Sequence, residues 1–399
     1  MALWAIMLIA SLVRLWISPE KHSVFPNFSE AASRWVHGKD LYTARGNYDF
    51  RYSPLVAIGF TPLLPFGNRV GGMVWCVFCT TLLVAALNQW LKKGAPQPTS
   101  GQERGAVFLL VLPLAIGNIA SNQSNAPVLA MLLIAMTALQ TESFTTACVA
   151  IVVAFLFKLY PLSLGLILLL IYPRKLSGRL LLLVLAGLLL PYLFQRTAYV
   201  NFTYREWGHY LTVEDRSKLG IGRAYRDFQF LLHDLSIVIT QRTYRMIELM
   251  VAAIFGVFCL MARSKHGSSA RLHFFVFALA LCWMTVFGPA TESMTYLLVA
   301  PVVCYLLVKG WACPSSRTKY LYLLSYLLML YPPFSGLFPG HSIFRSAHLK
   351  SILPVAVLLL LAGILSDAMG TETQKLGRPL RGPDADFDPS SAIETSRVK

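Results

Sequence analysis

Charge is scarce in this chain of 399 residues. Only 14% of the residues are charged and 56% are apolar, where a soluble domain carries about 25% and 45–50%. That scarcity excludes one large soluble domain, and the apolar content excludes a disordered chain. Strict alternation is missing too. The apolar residues come in long runs, which excludes an outer-membrane barrel. Residues Met1–Ser18 lack a basic start and a small-residue cleavage site, and they are apolar apart from Arg14; they read as an uncleaved first helix rather than a signal peptide. Cys76 and Cys79 form a CxxC, but no second pair completes a zinc site, so the seven cysteines read as core filler. No Gly-rich phosphate loop, nucleotide fingerprint or inverted repeat is evident.

What is present is an all-α pattern, a polytopic transmembrane helix bundle of about 12 helices. The apolar runs fall at about 2–18, 69–91, 105–120, 126–140, 143–157, 160–173, 180–195, 246–262, 272–288, 295–310, 320–336 and 350–366. Residues 53–66 are also apolar but carry Pro54, Pro62 and Pro65, so they read as a re-entrant or interfacial piece. The net charge of +16 would suggest nucleic acid in a soluble chain. Here the Lys and Arg residues sit in loops between apolar runs, so they read as topology signals and contacts with lipid headgroups; no nucleic-acid partner is expected. Lys92, Lys93 and Arg104 share one loop, Arg174, Lys175 and Arg179 a second, Arg263, Lys265 and Arg271 a third, and Arg317 and Lys319 a fourth. With twelve crossings all four loops fall on one side, assigned to the cytoplasm together with both termini. Residues 1–366 then form one membrane domain, and 367–399, polar and rich in Asp, a disordered cytoplasmic tail.

The opposite side receives two long segments, 19–52 and 196–245, both dense in charge and aromatic residues. It also receives three places where polar residues interrupt apolar runs: Asn118 with Asn122, Gln123, Ser124 and Asn125; Lys158 with Tyr160 and Pro161; and Pro289 with Thr291, Glu292 and Thr295. A charge at membrane depth costs several kcal/mol and faces a cavity or a partner. One shared outer cavity accounts for all three breaks; mutual pairing of Lys158 with Glu292 is the alternative. In the first long segment Pro26 and Asn27 start a short interfacial helix over about 28–37, with Glu30 and Arg34 one turn apart and an apolar stripe of Phe28, Ala31 and Trp35.

Ala31 and Ala32, Gly38, Asp40, Leu41 and Tyr42, and then Arg51, Tyr52, Ser53 and Pro54 resemble the first outer loop of glycosyltransferase family 87, polyprenyl-phosphate-mannose-dependent mannosyltransferases of the C-type membrane superfamily. Asn122-Gln123-Ser124-Asn125 resembles the family's Gly-Gln-x-Asn, Lys158-Leu159-Tyr160-Pro161 its Lys-x-x-Pro break, and Gly288-Pro289-Ala290-Thr291-Glu292 its late outer loop. The resemblance runs over about residues 1–366. It implies a plasma-membrane hexosyltransferase that moves mannose from a polyprenyl-phosphate donor to a lipid or glycan acceptor on the non-cytoplasmic face. One departure stands out. The family places an Asp, its expected base, before the Phe that opens this loop, and here that position is Val24.

Such a transfer needs a base for the acceptor hydroxyl, cations for the departing phosphate and a site that keeps water from the oxocarbenium-like sugar. Candidate bases are Glu30, Asp40 and Asp49, with Glu30 favoured for its place on the short helix and Asp40 in a turn. Candidate phosphate cations are Arg51, Lys158, Arg223 and Arg226. Tyr52, Asn122, Gln123, Asn125, Tyr160, Thr291 and Glu292 are candidates for sugar or acceptor contacts. The scheme requires no metal and no cofactor; its partners are the lipid-linked donor, the acceptor and membrane lipids. An inactive lipid-glycan binding protein, suggested by Val24, and a lipid or solute transporter remain the other readings. The topology has a direct check. Cysteines introduced in 19–52 and 196–245 should react with an impermeant reagent in intact cells, and reaction only after lysis would overturn the assignment.

Overall fold

The computed structural model describes residues 1–43, 50–213, 225–267, 269–288, 291–313, 317–334 and 351–376. Asp49 and Arg223 lie outside them. Every described element is helical. α1 is Ala2–Ile17, α2 Phe25–Val36 and α3 Pro54–Phe60. A 3₁₀ segment, Thr61–Phe66, runs straight into α4, Gly67–Gln89. Then follow α5 (Gly101–Ala120), α6 (Asn125–Gln140), α7 (Phe144–Phe157), α8 (Leu162–Ile171) and α9 (Pro173–Leu189). The second half holds α10 (Thr197–Val213), α11 (Phe228–Asp234), α12 (Gln241–His266), α13 (Ala270–Val286), α14 (Ala300–Ala312), α15 (Lys319–Phe334) and α16 (Ile352–Leu376).

Within the described residues the apolar runs read from the sequence fall largely on these helices and on the 3₁₀ segments that adjoin them. Among the described residues five stretches are long and apolar enough to cross a bilayer: Pro54–Gly94, Gly101–Ala120, Pro173–Leu193, Gln241–Lys265 and Ser293–Ala312. Shorter apolar helices, α6, α7, α8 and α13 among them, pack between these as a membrane helical bundle. α6 is buried almost along its whole length and α13 likewise, so they form the centre of the bundle. α12 is mostly exposed apolar surface, with Met246, Leu249, Met250 and Val257 facing out. Helices that are apolar all round belong in a core or a membrane, and the bilayer is the medium that accommodates such a face.

Local chemistry fixes the helix ends. At α5 the Ser100 hydroxyl accepts from the Glu103 amide at 3.1 Å, and the Glu103 carboxylate accepts from the Ser100 amide at 2.7 Å, a capping box. The same carboxylate pairs with Lys309 of α14 at 2.7 Å. α7 stops at Phe157 because Pro161 has no N–H, and its ring clashes with the carbonyl four residues back. The polar stretch expected from 367 opens as a continuation of α16, with Asp367 accepting from Thr318 at 2.7 Å and from Tyr322 at 2.6 Å.

α2 begins three residues earlier than the sequence suggests, because Pro26 fits the first turn of a helix. Its apolar stripe docks on the protein rather than on lipid. Phe28 and Ala31 are fully buried, Phe28 stacks on Phe60 at 4.4 Å, and Phe60 lies 4.6 Å from Trp75 of α4. Gly71 of α4 makes the approach possible, since a Cβ there would stand 2.7 Å from the Phe25 ring and 3.3 Å from the Leu63 carbonyl. Gly71→Ala should therefore lower the midpoint of thermal unfolding in detergent, by about 1–3 kcal/mol of overpacking. Gly105→Ala on α5, where a Cβ meets nothing within 4 Å, should raise it by about 0.5–1 kcal/mol. Equal shifts in the two variants would show that the Gly71 contact is not tight.

Candidate active site

The interruptions read from the sequence meet at one end of the bundle. Residues 50–53 lead into α3, residues 121–124 join α5 to α6, residues 158–161 separate α7 from α8, and Thr291 and Glu292 precede a 3₁₀ segment, Ser293–Val299, that runs into α14. Ser53 ties the first to the third, its hydroxyl donating to the Leu156 carbonyl at 2.6 Å. Tyr52 and Ser124 meet through their hydroxyls at 3.2 Å.

Lys158 lies in the break between α7 and α8. Its ammonium donates to Asn125 Oδ1 at 2.6 Å and lies 5.6 Å from the Tyr160 ring. The Tyr160 hydroxyl donates to the same Asn125 oxygen at 3.3 Å. Asn125 Nδ2 in turn donates to Asn118 Oδ1 at 3.0 Å, and Asn118 Nδ2 to the Met294 carbonyl at 2.9 Å. Burial pushes the Lys158 ammonium down to about 8; the charge of Glu292 opposes that fall and Arg51 adds to it. Among the described residues no direct Lys158–Glu292 ion pair forms, so Asn125 takes the place the sequence alternative gave to Glu292.

Arg51 stands on the same side. Its guanidinium donates to the Tyr225 hydroxyl, and Trp207 of α10 donates to its carbonyl at 3.3 Å. Arg226 is brought in by its backbone, which donates to the Thr291 carbonyl at 2.7 Å and accepts from the Tyr296 hydroxyl. Thr291 is buried, and its own hydroxyl is spent on the Gly288 carbonyl at 3.0 Å. Glu292 is exposed, its amide held by Thr295 at 3.2 Å, and its charge is felt by Lys158, Tyr160 and Arg226. Lys158, Arg51 and Arg226, the exposed Glu292 carboxylate and the phenols of Tyr52, Tyr160, Tyr225 and Tyr296 thus share one polar corner.

Other sequence candidates sit differently. Glu30 is half exposed and pairs with Arg34 at 2.8 Å. Arg34 also donates to the carbonyls of Asp40 at 3.1 Å and Thr43 at 3.2 Å. Asp40 is spent on its own turn, accepting from the Tyr42 amide at 2.9 Å and from the Thr43 hydroxyl. Asn122 is buried with φ +56° and donates to the Gly72 carbonyl at 3.2 Å and to Ser23 at 3.3 Å. The Gln123 side chain has no hydrogen-bond partner among the described residues. Val24 stands at the N-terminus of α2, where its amide donates to the Ser121 carbonyl at 2.9 Å. The position where the resemblance expects an Asp therefore abuts the turn that carries Ser124 and Asn125.

The profile of glycosyltransferase family 87 matches residues 50–289. That span is more than half of the chain. The chain belongs to glycosyltransferase family 87. The match begins at the end of the first long segment, and it includes Arg51, Tyr52, Asn125, Lys158, Tyr160 and Arg226. No curated protein matches the sequence. The polar corner holds cations and a carboxylate, the kinds of group that stabilise a departing anion and accept a proton in group transfer. Asn118 stands out in the sequence as a polar interruption, but neither it nor Tyr225 has a site role there. Tyr225 is 174 residues from Arg51, a distance no local pattern bridges.

The two first-loop carboxylates differ in what they hold together. Asp40→Ala should lower thermal stability by about 1–3 kcal/mol, because it leaves the Tyr42 amide without its acceptor. Glu30→Ala removes an exposed pair and should cost no more than a few tenths of a kcal/mol. Thermal scans of both variants check this, and a larger loss for Glu30→Ala would reverse the assignment.

Proposed function

We propose that this protein transfers a hexose, mannose by the family resemblance, from a polyprenyl-phosphate donor to a lipid or glycan acceptor on the non-cytoplasmic face of the plasma membrane. The observation that carries the reading is the junction of Lys158, Arg51 and Arg226 with Tyr52, Tyr160 and Asn125 at helix breaks inside an apolar bundle. Lys158 and Arg51 would hold the lipid phosphate and neutralise it as it leaves, with Arg226 and Arg223 joining from the second long loop. Ammonium and guanidinium contacts are strongest where water is sparse. Gln123, with Tyr52 and Tyr160, would hold sugar hydroxyls. The bundle would keep bulk water from competing with the acceptor.

Two carboxylates compete for the role of base. Glu292 is exposed and electrostatically coupled to Lys158 and Tyr160. Glu30 sits on α2, the helix that starts at the Val24 position, and is paired with Arg34. The geometry favours Glu292. Glu→Gln at the true base should slow transfer by about 10²–10⁴-fold with donor binding little changed. Radiolabelled polyprenyl-phosphate hexose and purified protein, with Glu292→Gln and Glu30→Gln side by side, decide between them. If both variants keep full activity, neither carboxylate is the base. Val24 motivates the second reading, a binding protein without turnover; donor binding with no transfer to any membrane acceptor would establish it.

Lys158 supplies a further test. Lys158→Met should weaken donor binding by about tenfold or more, the loss of one charge-assisted contact of roughly 1.5–3 kcal/mol. In the wild type, an ammonium that titrates near 8 is charged at pH 7 and neutral at pH 9. Donor affinity should therefore hold below about pH 8 and fall above it, while Lys158→Arg should stay flat to higher pH because a guanidinium does not titrate there. Identical pH profiles for wild type and Lys158→Arg would remove Lys158 from the phosphate site.

A further inference from the structure

Asn118 is 1% exposed and lies in the last turn of α5, behind the polar corner. It is one link in a chain of hydrogen bonds that joins four parts of the fold: Met294 before α14, Asn118 on α5, Asn125 at the start of α6, and Lys158 in the break after α7. The two ends of this chain are chemically one-sided. A backbone carbonyl only accepts, and an ammonium only donates. Asn118 must therefore turn Nδ2 to the Met294 carbonyl, which leaves Oδ1 facing Asn125. Asn125 must then spend Nδ2 on Asn118 and present Oδ1 to Lys158 and Tyr160. If Asn125 turned over, an N–H dipole would point at the ammonium; if Asn118 turned over, its NH2 would face the Asn125 NH2 and force that turn. The close fit of Gly117 against the Met294 side chain, 2.9 Å from a Cβ placed there, holds the far end of the chain in position.

We propose that Asn118 is a positioning residue: through Asn125 it fixes an oxygen, not an amide N–H, against Lys158, and so keeps that side chain charged and aimed at the anionic group of the substrate. The last clause rests on the phosphate-binding reading given above for Lys158; the first does not. The charged or titratable groups that also face Lys158 are Glu292, Arg51 and the Tyr160 hydroxyl. Glu292 and Arg51 are not bonded to the amide chain, and the Tyr160 hydroxyl meets it only at the Asn125 oxygen, so a shift in Lys158 on mutation at 118 comes through that chain.

The test reads Lys158 itself, in the full chain in detergent, without any donor. Acetic anhydride reacts with the neutral amine only, so the rate of Lys158 acetylation against pH, followed by mass spectrometry, gives its titration midpoint. Asn118→Leu removes both contacts and frees the Asn125 amide to rotate, and the midpoint should fall by about one unit. That is about tenfold faster acetylation at a pH below both midpoints. Asn118→Asp keeps an acceptor for Asn125 Nδ2 in either protonation state, and the midpoint should stay or rise. A residue that merely fills space would move neither, and equal midpoints in the wild type and both variants would overturn the proposal. A fall in both would overturn it as well. Where Asn118→Leu does not fold, Asn118→Ser, too short to span both partners, should show the same fall. Binding of a polyprenyl phosphate is then measured separately. A shifted midpoint with unchanged lipid binding would discard the phosphate role of Lys158 and leave the positioning role standing; weaker binding in Lys158→Met with unmoved Asn118 midpoints would do the reverse.

Discussion

The contact between the Lys158 ammonium and Asn125 Oδ1 is the constraint from which the polar end of this bundle takes its form. An ammonium near the ends of apolar helices loses much of its hydration and must recover it from oriented dipoles. A single amide oxygen at 2.6 Å supplies one such dipole without cancelling the charge, as a carboxylate would. The difference matters for function. A cation neutralised by a buried carboxylate is a closed structural pair, whereas one held by neutral oxygens keeps its field for an incoming anion. Around this contact the helix breaks are arranged: Pro161 ends α7 beside it, Ser53 latches the first long segment to the end of α7, and α5 reaches in through Asn118.

The second half of the site depends on packing rather than charge. Phe25, Phe28, Phe60 and Trp75 form an aromatic floor beneath α2, and each such ring contributes roughly 1.5–3 kcal/mol when fully buried. This floor holds the first long segment down on the bundle and places Tyr52 against Ser124. Trp75 also donates to the Asn122 carbonyl at 3.2 Å, so the same floor supports the turn from which Asn125 begins its helix. Asn122 accepts the positive φ that this turn requires, a conformation Asn tolerates better than most residues.

Much of this was legible in the sequence. Long apolar runs locate the helices, because burial in a bilayer demands continuous apolar length and nothing else competes with that signal. The breaks at 122–125 and 158–161 were visible because a Lys, several Asn and a Pro are costly inside such runs. Partnership was not visible. Lys158 and Glu292 have opposite charge and invite pairing on paper, but the chain places Asn125 in contact and leaves Glu292 exposed. Asn118 looked like the polar end of a helix, and its role depends on a carbonyl 176 residues away. Asp40 read correctly as a turn residue, since its side chain closes on its own backbone two residues on, a local preference that sequence does encode.

The lengths of α7 and α8 carry a consequence for the membrane around them. With 14 and 10 residues, they rise about 21 and 15 Å, short of the ~30 Å hydrocarbon thickness. Both present apolar side chains outward, Val149 and Val153 on one, Leu166 and Leu170 on the other. Lipid tails that wet this edge must shorten or splay to match it. A bilayer that wets this edge would thin beside the break, and its headgroups there would ride nearer the midplane than those farther away. A lipid in such a dimple would bring its polar end down towards Lys158 without being lifted from its leaflet.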